Sequence, residues 1–449
     1  MITPSFSSSV MKLHSSLILF LLSLPVLGNE ALDLLEGKKD AASVSAPAPA
    51  ADAPVLSGAI GATNADGKTV KPYKPSQPSE FSQEMHQIFD PIWSRAQLEK
   101  NESHPFVQEL SLIGLFEGAA AWGTIDNDAA ASPLKQSVND VQMRRAQLGA
   151  RMKAFYRTEV TGVVEMAGPS PMNGIQTLKA RTELSDHSGV TFGKFRPLST
   201  QENNTPDANL LLSERSFFSN MIAPADSLGV MVDTTHKEWT YLLGWFSGDF
   251  SDNIPSVNND GLLNAGIVYE KVGKAESGAP LRSRWYFNYV HNLNHANGEV
   301  MPRHRYAGAT PFEKLYSTGF STQEDRFGFQ ADFTIARGDK SAWGMTLMPT
   351  YWIMPGAIQL VSRYHYADSD KKDALYGGYG PGADPFYQGD SPIVSGDEYH
   401  SFYLGANFHV YENRMIISNG LEYTLFRDDL DSEVDTTSLM WQTGAKLSF

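Results

Sequence analysis

Residues 438–449 read SLMWQTGAKLSF, and they divide by twos. Leu439, Trp441, Thr443, Ala445, Leu447 and Phe449 fall on one face; Ser438, Gln442, Gly444, Lys446 and Ser448 fall on the other. A period of two belongs to an extended strand, whose successive side chains point to opposite faces. Working back from this segment, Phe402, Leu404, Ala406, Phe408 and Val410 alternate with Ser401, Tyr403, Gly405, Asn407 and His409. Phe327, Phe329, Ala331, Phe333 and Ile335 alternate in the same way with Gly328, Gln330, Asp332 and Thr334.

Fifteen such segments follow one another, near 110–122, 141–153, 154–166, 175–184, 189–196, 227–235, 239–248, 261–272, 281–292, 326–337, 342–353, 357–367, 398–410, 414–426 and 438–449. Many reach the roughly 9 to 11 residues a tilted membrane strand needs. Single-chain bacterial outer-membrane barrels use even strand numbers, so the poorly patterned stretch 292–326 is expected to hide a sixteenth strand, around Tyr316 to Ser321. A soluble β-sandwich also alternates. Three features favour a barrel: the polar faces are small and hydrated, Trp239, Tyr289, Trp352, Tyr364, Tyr366 and Tyr423 stand near segment ends like interfacial girdles, and the pattern runs through Phe449. The expected fold is all-β, a transmembrane antiparallel barrel over residues 106–449.

Upstream the pattern is different. Residues 1–28 read as a signal peptide, with Lys12, an apolar run at Leu17 to Leu24 and a small-residue cleavage site near Gly28. Residues 29–80 are rich in Ala, Pro and Lys and are expected to be a largely disordered spacer. Within them GATNADGKT (61–69) imitates a phosphate-binding loop with the wrong spacing and no flanking strand or helix. From Phe81 to Leu98 apolar residues recur at helical spacing, broken by Pro91, which predicts one or two short helices in a periplasmic segment 81–105. The 449 residues contain no cysteine, which excludes disulfides, thiolate catalysis and Cys-ligated metals. A net charge of −15, or −16 once residues 1–28 are removed, argues against nucleic acid as a partner.

RRAQLGARMKAFYRTEV from Arg144, GKFRPLS from Gly193, SERSFF from Ser213, Ala223-Pro224, Leu228-Gly229-Val230 and the closing WQTGAKLSF together resemble the phosphate-selective porin O/P family of outer-membrane channels. The resemblance covers roughly residues 105–449 and is strongest between 141 and 250. It implies a 16-stranded barrel, usually a homotrimer, with a periplasmic N-terminus and a folded-in loop that narrows the pore.

Selectivity has to come from the chain's own charges. If the apolar parity faces lipid, Arg145, Arg151, Lys153, Arg157, Lys179, Arg181, Lys194 and Arg196 face the lumen from four consecutive strands. Glu159, Glu165 and Glu183 share that parity, so the wall is expected to be basic. Such a wall concentrates anions, and arginine pairs with phosphate through its planar fork. The competing reading is that these cations pair with acids and only hold the wall together. The stretch Pro197 to Pro224 is too long for a turn and carries Leu210 to Leu212 and Phe217-Phe218. It is expected to fold into the lumen, with Glu214 and Arg215 near the basic wall; a trimer contact would bury the same residues. Arg282 and Arg284, inward by the parity of Trp285 and Phe287, are expected on the opposite wall.

Acids at 368–398 and 428–435 read as solvated extracellular loops, lacking the spacing of a calcium loop. His291 and His295 are four apart near a strand end, too far apart for a ligand pair. No hydrolase, zinc or phosphate-loop motif falls in the patterned region, so no catalytic residue, metal or cofactor is expected. The expected function is an outer-membrane porin, in contact with outer-membrane lipid, that passes small hydrophilic solutes with a lean toward inorganic anions such as phosphate. The alternatives are a structural or adhesive barrel with a plugged lumen, and a barrel enzyme acting on lipid.

Overall fold

A computed structural model describes residues 79–127, 134–167, 174–248, 256–257, 261–275, 280–293, 312–338, 340–371, 374–378, 393–427 and 435–449. The signal peptide, the spacer through residue 78, GATNADGKT and most of the two acidic stretches lie outside these residues. Among the described residues no helix is long and apolar enough to cross a membrane.

The strands are β1 (Gln97–Lys100), β2 (Val107–Asn127), β3 (Leu134–Ala154), β4 (Thr158–Glu165), β5 (Gly174–Glu183), β6 (Ser188–Phe195), β7 (Ser227–His236), β8 (Trp239–Phe246), β9 (Leu262–Lys274), β10 (Pro280–Asn292), β11 (Lys314–Glu324), β12 (Phe327–Arg337), β13 (Ala342–Met354), β14 (Ile358–Ser369), β15 (Leu375–Gly378), β16 (Ile393–Gly396), β17 (Glu398–Tyr411), β18 (Met415–Arg427) and β19 (Thr436–Ser448). Leaving aside β1 and the separate β15–β16 hairpin, sixteen strands pair with their neighbours in chain order, all antiparallel. β19 then pairs with β2 from Thr436↔Asn127 to Ser448↔Leu115 and closes the ring. The sixteenth strand is β11, spanning the residues where it was expected.

Burial is inverted relative to a soluble protein. Outward side chains such as Leu243 (66% exposed) and Leu404 (65%) are apolar and uncovered, whereas Asp233, Asn288, Asp332 and Glu422 are buried inside. This is the distribution a lipid solvent selects, since a closed ring leaves no strand edge unpaired and its outer face needs no water. Aromatic contacts ring both ends: Trp239 packs on Tyr269 and Trp285 near the short turns, and Tyr289 on Tyr316 and Trp343 on Tyr366 near the long loops. Trp352 departs from the girdle expectation. It shares the inward row of Thr350 and packs against His409 at 4.7 Å.

The 81–105 segment is only partly helical. A helix, α1 (Glu80–Trp93), starts at the Ser79 cap and runs through Pro91. It lies on the short-turn end of the barrel: Phe89 and Trp93 pack on Tyr411, Asp90 accepts from the Tyr411 hydroxyl at 2.5 Å, and Trp93 Nε1 donates to the Ser448 carbonyl at 2.7 Å. Gln97–Lys100 then form a strand, because β2 runs past the end of β19 and its free edge at Glu109–Ser111 takes a short partner.

Phe449 exchanges backbone hydrogen bonds with Gly114, 3.0 Å each way, and stacks on Phe116. A Cβ at Gly114 would fall on the Phe449 ring. Gly114→Val is therefore expected to loosen the closing seam by about 1–3 kcal/mol, the usual cost of overpacking. The check is a lower temperature at which the folded, fast-migrating band is lost on a semi-native gel; an unchanged transition would mean the ring simply swings away.

Candidate functional site: a loop clamped across the lumen

Between β6 and β7 the chain makes a helical turn, α2 (Gln201–Asn204), a 3-10 turn at Asp207–Asn209 and a second short helix, α3 (Phe217–Ile222). The loop folds into the barrel, as its mid-loop leucines and phenylalanines required. Leu212 packs with Met348, Val361 and Tyr403. Phe217 stacks on Tyr399 at 4.5 Å and meets Phe426 edge-on, and Phe218 sits over Gly344, where any Cβ would strike its ring.

The loop's polar fastenings come from both sides of the lumen. On one side, β3 carries a bulge: Glu117 faces Arg145 but Gly118 faces Met143, so Arg144 is an extra residue. A bulge lets two successive side chains share a face. Both arginines turn inward, Arg144 to Glu214 and Arg145 to Glu117 (2.5 Å), Asp207 (3.4 Å) and the Ser213 carbonyl (2.9 Å). Arg215 stays within the loop, donating to Asp207 at 2.7 Å and to the carbonyls of Glu202 and Thr205. Burial would raise the Asp207 carboxyl, but Arg145, Arg215 and Arg196 outweigh it and hold the group well below the usual carboxylate range.

On the far side, Arg363 of β14 is 2% exposed and reaches Glu202 at 3.4 Å, Glu422 at 3.3 Å and the Glu214 carbonyl at 2.9 Å. Asn264 and Leu198 exchange two hydrogen bonds, both 2.9 Å. Asn288 donates to the Ser199 carbonyl and Asn407 to the Leu211 carbonyl, while back on the Arg145 side Lys446, in register with Glu117, donates from Nζ to the Leu210 carbonyl. The N–H of Gln201 donates to the Tyr286 hydroxyl and to Asp332.

Beside β2–β6 the loop borders a cavity of about 100 Å³. Arg151, Lys179, Arg196 and Arg215 line it against Glu159, Asp207 and Asp226, with Ile113, Val163, Phe195 and Leu198 as an apolar patch. The expected wall is thus gathered in part. Arg145, Arg151, Lys179 and Arg196 stand around the loop, but most are matched: Arg151 lies 3.6 Å from Glu109 and Arg196 3.3 Å from Asp226. Arg181 is on the lumen face and is held by Asp233 at 2.8 Å. Lys153 lies exposed near the short turn and Arg157 lies within it. Lys194 stands in register with Leu178 and Leu228, in the row of the exposed Phe192, yet is itself buried at 5% exposed; Gly193, at a φ of +121°, interrupts the alternation beside it. Arg282 and Arg284 share the inward row of Tyr286 on β10, and Arg282 is paired with Glu270 at 2.6 Å.

Arg144, Glu202, Asp207, Asp226 and Arg363 were not singled out in the sequence. Parity alone could have found Arg363, which shares a row with Val361 opposite the exposed Leu360. Arg144 carried a signal too, because strict alternation would have put an arginine against lipid.

No protein-family model matches the chain, and no curated protein does. Among solved structures, OprB of Pseudomonas putida is similar at 12% identity over 76% of this chain and 94% of that one, with a TM-score of 0.46. The anion-selective porin of Comamonas acidovorans is similar at 11% identity, 76% and 99% coverage and a TM-score of 0.46. The outer-membrane channel DcaP of Acinetobacter baumannii is similar at 14% identity, 78% and 100% coverage and a TM-score of 0.45.

Proposed function

We propose that this chain is an outer-membrane porin through which small hydrophilic solutes diffuse past the clamped loop. One observation carries the reading: the loop fills the far side of the lumen with apolar contacts yet leaves a charged opening along β3–β6. Arg151, Lys179 and Glu159 of that lining belong to the barrel wall and take no part in the loop fastenings described above, which is more charge than holding a plug requires. Four cations against three carboxylates line it, which supports a slight lean toward anions, phosphate among them. Short turns gather at the end where α1 docks, in keeping with a periplasmic N-terminus, and the apolar outer face suits outer-membrane lipid and a homotrimer.

The second reading, a plugged structural barrel, is favoured by the small size of the opening, about 100 Å³. The zero-current potential of the purified protein in a planar bilayer under a potassium chloride gradient separates them. The porin reading expects a measurable current, a weakly anion-selective potential and partial block of chloride current by added phosphate. A cation-selective current would discard the anion preference, and no current would establish the plug.

A further inference from the structure

Behind the loop, on the side away from the charged opening, lies a second cavity with about 10 Å³ of water-accessible space. Its loop side is made by Thr200, Glu202, Ser216 and Ser219, and its barrel side includes Asp332 of β12 and His365 of β14. Both barrel residues are buried, Asp332 at 7% and His365 at 1% exposed. Neither ring nitrogen of His365 has a hydrogen-bond partner in the protein, and neither does Oδ2 of Asp332. A neutral imidazole always presents one donor and one acceptor, and a carboxylate oxygen always accepts. Burying all three unpaired is unfavourable. A polar space just large enough for one water, with several such groups turned to it, is where internal water is found.

We propose that this cavity binds a single water molecule bridging His365 and Asp332, and that the bridged unit takes up a proton from bulk water when the medium acidifies. The rear fastening of the loop then becomes its acid-sensitive part. Asp332 accepts from the Tyr286 hydroxyl and the Gln201 N–H at the start of α2. Next to it, Glu202 accepts from Ser216 N–H and faces Arg363. Around the unit stand Arg284, Arg363 and His400 as basic groups, Glu202 and Glu422 as acids, and the hydroxyls of Tyr286 and Tyr399. A proton added to the carboxylate removes the negative charge that holds the Gln201 and Tyr286 donors. It brings no new partner for Arg363. The front fastening behaves differently, since Asp207 is held ionised by three arginines. Acid therefore loosens the loop from the rear.

The test reads the loop directly, whether or not the barrel carries current. Hydrogen exchange of peptides spanning 198–222 is compared in the full-length protein at about pH 7.5 and about pH 5, the range a histidine-containing unit senses, after correction for intrinsic exchange. The wild type is expected to exchange several-fold faster at the acid pH. Asp332→Asn is expected to exchange fast at both values, and His365→Phe, which fills the cavity and expels the water, to lose the pH response. Unchanged wild-type exchange, or a response that persists in both variants, overturns the proposal. Should Asp332→Asn fail to assemble, His365→Phe decides alone. A high-resolution structure must also show ordered density between the two side chains; an empty cavity overturns the water bridge.

Discussion

Arg363→Met is expected to free the loop from its far wall, raising single-channel conductance toward that of an open barrel and making the current noisier. Arg363 is buried on β14 and its guanidinium faces two buried carboxylates, Glu202 on the loop and Glu422 on β18. Removing one partner of a buried ionic group leaves the others charged without compensation, at a cost of about 3–5 kcal/mol. Glu422 keeps neutral support from Ser401 and Gln442, whereas Glu202 keeps only the Ser216 N–H among the bonds described. The strain therefore falls on the loop rather than on the barrel. Removing the charges together should repair it: Arg363→Met with Glu202→Gln and Glu422→Gln is expected to recover most of the lost thermal stability. Conductance of the single variant equal to wild type would show that the β3 arginines and the apolar packing suffice to hold the loop.

The second large effect concerns selectivity. Arg151→Gln with Lys179→Gln changes the lining from four cations and three acids to two and three. Each charge within about 4 Å of a passing ion in water-like surroundings contributes about 1 kcal/mol. That corresponds to about a fivefold change in ion preference per charge. The zero-current potential should cross from weakly anion-selective to cation-selective. Lys153→Gln and Lys194→Gln, which lie outside the lining, are expected to leave it nearly unchanged. A response equal in all four would mean that the field of the whole barrel, not the opening, sets the preference.

The lumen charges show why counting by parity overstates a basic wall. The count takes in β3 to β6, where Arg145, Arg151, Arg181 and Arg196 are prominent. Their partners come from elsewhere: Glu109 and Glu117 from β2, Asp233 from β7, and Asp207 and Asp226 from the loop. The pairing of Arg145 with Asp207 joins residues 62 positions apart, and that of Arg363 with Glu202 joins residues 161 apart. No local pattern contains such partners.

Alternation of side chains along a strand is a local property, so the sequence by itself determined the sixteen strands, the face most of them turn to lipid, the girdles apart from Trp352, and a loop too apolar to lie in water. Three things were decided only by the tertiary structure. The bulge at Arg144 depends on the register between β2 and β3, which is a property of two strands and not of one. The matching of lumen cations depends on closure of the ring and on the path of the loop, which bring distant acids within 2.5–3.6 Å. The unpaired ring nitrogens of His365 and Oδ2 of Asp332 form a site only once the loop seals a cavity over them, because a polar atom is unsatisfied only where water has been excluded.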